Sequence, residues 1–253
     1  MRGATVAAMT LHIDTTRHPV PDPDYVARCR RRLDADGALV LPGFFTRAAV
    51  AEAIAESAHR VGEAYFARSS HNVFLTDRDP ALADDHPFNR QVASSKGLLA
   101  DDQIPADSPL REVYDDDVFR EFLCGVLGIS EIYPYADGLS SINVHFAGAG
   151  QELGWHFDNS SFAVTMLLRA PVAGGAFEYV PDVRTLDHDT MRARIAATLD
   201  GTAPVQRLEF DPGALVLFRG RDALHRVTPT EGDVTRMLVV FAYNDAPDVA
   251  LSE

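Results

Sequence analysis

Lysine is almost missing from this chain. Of 23 cationic side chains only Lys96 is a lysine, against 37 acidic ones, for a net charge of −14. A surface this acidic repels phosphate backbones, and no compact basic patch offsets it, which argues against nucleic acid as a partner. Cysteine is scarce too. Cys29 and Cys124 lie in stretches that read as helices, in no CxxC or Cys/His cluster, and read as two reduced core thiols. Long apolar runs are also lacking: none approaches the ~18–20 residues of a membrane span. Arg2 is followed by no apolar core and cleavage site, so no signal peptide is read and a cytoplasmic location is expected. Residues 1–8 read as an extension upstream of Met9.

What is present is an ordinary globular composition, 46% hydrophobic and 24% charged over 253 residues, which excludes wholesale disorder and fits one domain. Residues 1–24, with three prolines and no periodicity, read as an irregular lead-in, and 25–253 as a single domain. Within it, 25–138 reads as helices and a lid. Residues 25–33 are helical, 37–45 (GALVLPGFF) form a short strand, and Thr46 caps a helix to about residue 67. The span 68–109, rich in Ser, Asp, Asn and Pro, is long for a connection and reads as a functional loop. A helix follows over 110–127, with the acidic run 115–117 on its solvated side.

From residue 139 the period changes. Residues 140–146, 161–168, 176–180, 205–210, 214–218 and 235–243 are strand-like, separated by turn signals such as AGAG (147–150) and Asp211-Pro212-Gly213. One amphipathic helix, 187–199, is inserted among them. The expected fold is mainly β with flanking helices: a double-stranded β-helix, or cupin-like jelly roll, with its core over 139–245.

Three residues carry candidate chemistry. His156-x-Asp158 at a strand end puts both side chains on one face, and His225 would complete a two-histidine, one-carboxylate set. Such a face leaves positions open on a divalent metal and suits non-haem iron(II). The pair alone is weak evidence: nine histidines and 26 aspartates give about one His-x-Asp by chance, and His12-Ile13-Asp14 is a second copy. The context after it is stronger. Arg236 lies 11 residues beyond His225, near the start of the next strand, and a guanidinium fork there is a natural partner for a dicarboxylate.

Longer strings carry a resemblance. HNVFLT (71–76), SSKG (94–97), DQIP (102–105), LSSINV (139–144), GWHFDNSSFAVTMLL (154–168), GGAFEYVP (174–181) and LHRVTP (224–229) resemble the carrier-independent amino-acid halogenases and their hydroxylase relatives. These belong to the iron(II)/2-oxoglutarate-dependent dioxygenases, which the chain resembles over roughly 37–245. The resemblance implies iron(II) on His156, Asp158 and His225, 2-oxoglutarate on Arg236, and O2 as the second cosubstrate. Succinate and CO2 would be the co-products. Halogenating members have glycine where this chain has Asp158, so hydroxylation is expected here instead. Many members of the superfamily place Ser or Thr two residues after the arginine; this chain has Leu238, and Thr165 or Thr228 are candidate substitutes.

Lesser candidates complete the set. Asn143 and His145 share one face of the strand before the metal motif; Asn143 reads as cavity lining on the cosubstrate side, and His145 as lining in preference to a fourth ligand. Asn72, Arg90 and Asn159 are candidate substrate contacts, Trp155 reads as packing, and His188 as solvated. The expected substrate is a small free amino acid or a close derivative, handled by a monomer or homodimer with neither nucleic acid nor membrane involved. Desaturation or oxidative ring closure on the same centre, aziridine formation included, stays open. A cupin-like non-redox metal protein or small-acid binder is the reading from another class.

Overall fold

The computed structural model describes residues 12–250, so the 1–8 extension lies outside the described residues, as does part of the irregular lead-in. The chain opens with α1 (Pro23–Asp36), β1 (Ala38–Leu41) and α2 (Arg47–His59), and continues with β2 (Tyr65–His71), β3 (Val92–Leu99), α3 (Pro109–Tyr114) and α4 (Asp117–Leu127). Then come β4 (Ile142–Ala147), β5 (Leu153–His156), β6 (Ala163–Arg169), β7 (Ala173–Gly174), β8 (Phe177–Val180) and α5 (His188–Leu199). The end of the chain holds β9 (Gln206–Leu208), β10 (Leu215–Phe218), β11 (Leu224–Val227), β12 (Thr230–Glu231) and β13 (Arg236–Phe241).

Eleven strands form one curled antiparallel sheet in the order β1-β10-β6-β13-β4-β3-β5-β11-β8-β9, with β2 paired to β3; β7 and β12 form a separate ribbon. Alternation decides which side chains face which way. Along β4, Ile142, Val144 and Phe146 are buried, and Asn143, His145 and Ala147 face the other side. The buried set joins Met237, Val239 and Phe241 of β13 and Val164, Met166 and Leu168 of β6 in the main core, against Leu33, Phe119, Phe122 and Leu123 of the helices. The helices therefore buttress the outer face of the larger sheet half. A second core, with Val73, Trp155, Phe157, Val180 and Leu224, lies under α5 on the other half. The opposite face of β4 carries Asn143 and His145, outside both cores.

The structure departs from the sequence reading in several places. The 68–109 stretch is not one loop: β2 and β3 pair from Tyr65↔Leu98 to His71↔Val92, leaving 72–91 as the irregular part. The 110–127 helix is broken, because Asp116 is buried and caps α4, its Oδ1 accepting from the Phe119 N–H at 3.0 Å. The acidic run is thus not wholly solvated. The helix after Thr46 ends at His59, and the chain enters β2 at Tyr65. Cys29 and Cys124 are free thiols, the first buried, and no described helix is long and apolar enough to cross a membrane.

Candidate active site

The site is built by two neighbouring strands and the turn that follows one of them. β5 and β11 pair with His156 opposite His225, so the two imidazoles project from the same face, ring centroids 4.2 Å apart. Asp158 follows β5, its N–H donating to the Gly220 carbonyl at 3.0 Å. That bond draws the chain close to Gly220, and a Cβ there would overlap the Asp158 carboxylate. Glycine at 220 is what leaves room for the aspartate. Asp158 Oδ1 lies 3.4 Å from His225 Nε2 and 3.7 Å from His156 Nε2. Ligand atoms at right angles on a metal ~2.1 Å away stand about 3 Å apart, so a modest contraction would close the set. Among the described residues these three form the one group able to hold a metal ion, and His145 is not in it.

Each ring is already oriented. His156 Nδ1 bonds the Gly154 carbonyl at 2.7 Å and His225 Nδ1 bonds Ala223 at 2.9 Å. Carbonyls only accept, so Nδ1 carries the proton on both rings and each Nε2 presents a lone pair to the centre. Ser94 supports the same turn: its Oγ accepts from the Gly154 N–H at 3.0 Å and meets His71 Nε2 at 2.7 Å. Electrostatics favour metal-ready protonation states. Burial, with neighbouring His225, holds His156 well below its ordinary value, hence neutral. Burial pushes the Asp158 carboxyl up, but His225 and the Lys96 ammonium beside it outweigh that and hold it below its ordinary value.

Arg236 opens β13 opposite Ala147, on the same face as Leu238 and His145. It is 6% exposed, and burial alone pulls its guanidinium down to about 10. Among the described residues it has no carboxylate partner. An enclosed, unneutralised guanidinium is costly and calls for an anion. Gly175 packs where a Cβ would stand 3.0 Å from Arg236 Cδ, giving the stem its path.

The other expected residues are placed as follows. Asn143 and Thr165 share one row with Val240 between them, four residues along β13 from Arg236; Asn143 Nδ2 donates to the Ser140 carbonyl. Asn159 is exposed just after the carboxylate, its carbonyl held by Arg221. Asn72 is buried, and its amide is committed to the Phe74 and Thr76 backbone and to Thr76 Oγ1. Arg90 reaches to Asp200 at 2.6 Å and the Leu199 carbonyl at the end of α5. Both are engaged in holding the 72–91 loop. Trp155 packs in the second core beneath Arg226, and His188 is exposed. Sequence reasoning missed Ser94, Lys96 and Gly220. The first two lie inside the SSKG string, but their neighbours come from other strands.

A description of the whole chain now fits one family. Residues 22–252 match the family described as Halogenase D. The chain belongs to the Halogenase D family. Similar solved structures include the α-ketoglutarate-dependent epimerase SnoN of nogalamycin biosynthesis, at 18% identity and TM-score 0.61 over 89% of this chain and 84% of that one. AviO1 from Streptomyces viridochromogenes aligns at 17% identity and TM-score 0.59 over 90% and 97% of the two chains. An oxidoreductase of the 2OG-Fe(II) oxygenase family from Burkholderia pseudomallei aligns at 13% and 0.56, over 88% and 92%. No curated protein matches in sequence. The Halogenase D chain thus has the double-stranded β-helix of the iron(II)/2-oxoglutarate oxygenases. Its donor set fits that pair of groups: two Nε2 atoms and one carboxylate for the metal, and an unpartnered buried guanidinium for a dicarboxylate.

Proposed function

We propose that this protein is an iron(II)- and 2-oxoglutarate-dependent oxygenase that hydroxylates an unactivated C–H bond of a small free amino acid or close derivative. Asp158 supports hydroxylation over halogenation, because it adds a carboxylate to the two imidazoles that could hold a metal, where the halogenases that the chain resembles have glycine. With iron, 2-oxoglutarate and O2 together, such a site generates the oxidant for C–H cleavage and releases succinate and CO2.

The chain's own residues have separate tasks. His156, Asp158 and His225 would hold the metal, with Gly154 and Ala223 fixing the rings so that no tautomer change is needed on loading. Arg236 would grip the distal carboxylate of 2-oxoglutarate, while Asn143 and Thr165 form the polar wall further along the same strands. Asn159, exposed and next in sequence to Asp158, is the substrate-side candidate. The buried Arg236, with no carboxylate partner among the described residues, argues against a non-redox cupin-like metal protein, which has no need of a dicarboxylate clamp.

The test is an anaerobic titration of the metal-free protein with iron(II) and 2-oxoglutarate, following the weak visible charge-transfer band. Free amino acids are then added one at a time, succinate release is measured on admitting oxygen, and the product is analysed. A band lost in His156→Ala, with succinate release stimulated by one amino acid and a product heavier by one oxygen, is the expected result. A product lighter by two hydrogens would move the assignment to desaturation or ring closure. No band would overturn the cosubstrate assignment itself.

A further inference from the structure

The single lysine of the chain is half-buried. β3 carries Lys96 to the face it shares with His145 of β4, where its Nζ lies 3.2 Å from Nε2 and 3.4 Å from Nδ1 of that histidine. The acidic group it senses is Asp158, already counted among the metal-binding set. Cross-strand register relates it to the arginine. Gly97 faces Phe146 and Arg236 faces Ala147. Continued by one residue, the β3–β4 register puts Lys96 beside Ala147 as well, so the two cations flank one alanine from opposite strands. His145, two residues back on the same face, stands opposite Leu238. That is the position where many superfamily members supply a hydroxyl for 2-oxoglutarate.

The chemistry follows from this arrangement. Among the described residues Arg236 has no carboxylate partner and Lys96 is acted on only by Asp158, which belongs to the metal set, while burial, with both cations nearby, keeps His145 neutral. A ligand with concentrated negative charge is what such a row accepts. We propose that Lys96, oriented by His145, binds the distal carboxylate of 2-oxoglutarate together with Arg236, replacing the hydroxyl that Leu238 cannot provide. The inference rests on 2-oxoglutarate being the cosubstrate.

Having one lysine makes a direct test possible. Protein labelled with 13C at the lysine ε carbon gives a single ε resonance, and zinc(II) in place of iron keeps the sample diamagnetic and inactive. 2-Oxoglutarate is titrated against 2-oxopentanoate, which has the same length without the distal carboxylate, with affinities from calorimetry. The expected result is a lysine shift that saturates with 2-oxoglutarate binding and is largely missing with 2-oxopentanoate. Lys96→Met should weaken 2-oxoglutarate by about tenfold or more, as for loss of a charge-assisted contact. It should change 2-oxopentanoate by less than about twofold, and Lys96→Arg should recover part of the loss. Equal weakening of both acids, an unmoved resonance on 2-oxoglutarate binding, or a resonance that responds only to an amino acid substrate would each overturn the proposal. Wild-type protein that binds neither acid would overturn the cosubstrate assignment along with it. Should Lys96→Met fail to fold, the labelled wild-type decides alone.

Discussion

Gly220 and Asp158 compete for one volume. A methyl at 220 would overlap Asp158 Oδ2 and stand 3.0 Å from its Cβ. The carboxylate is the mobile partner, so it would swing out of the metal set and leave the backbone in place. Gly220→Ala is therefore expected to fold with a melting temperature near wild type while losing most metal affinity, measured by zinc(II) competition or manganese(II) EPR. Lys96 shows the opposite trade. Burial pulls its ammonium down to about 8 from 10.5, partly offset by Asp158. A base depressed in the folded state binds its proton more weakly than in the unfolded chain, so stability rises with pH between those values. The cost is present in full below about 8 and gone above about 10.5. Lys96→Met should thus stabilise the ligand-free protein at pH 7 by roughly 1–3 kcal/mol, with the gain fading towards pH 10 in urea titrations.

At the scale of elements, legibility followed burial pattern. β4, β6, β10 and β13 were readable because one or both of their faces bury apolar residues in the main core. β3 was not, because VASSKGLL turns small and polar residues to a cavity and shows no apolar alternation. β2 is exposed along most of both faces, and β5 and β11 are four residues each, too short for a period to register. The same limit applied to the site. His156, Asp158, His225 and Arg236 announce themselves by residue type, interval and the strings around them. Ser94 and Gly220 matter only because register and a turn bring them to β5. Ser94→Ala removes the Oγ that ties β3 to the Gly154 N–H and to His71. One lost hydrogen bond of about 1 kcal/mol implies roughly fivefold weaker metal binding, readable by the same competition assay, with the fold unchanged by circular dichroism.

Across the whole molecule, the sheet is continuous but not closed. β3 pairs with β2, β4 and β5, joining the two halves along one side. The terminal strands β1 and β9 are unpaired with each other and face across a groove lined by Ala38, Val40, Tyr179, Gln206 and Leu208. A book bound along one spine opens at the fore-edge, which is held here by side-chain packing of Ala38, Tyr179, Phe218 and Ala223 and not by backbone pairing. Breathing of the barrel should then be hinged at β3, with amide exchange slowest in β3, β4 and β13 and fastest in β8 and β9. His156 sits on the strand next to that spine and His225 one strand further out, where a swing of the free edge displaces them least. The pages can turn without disturbing the text nearest the binding.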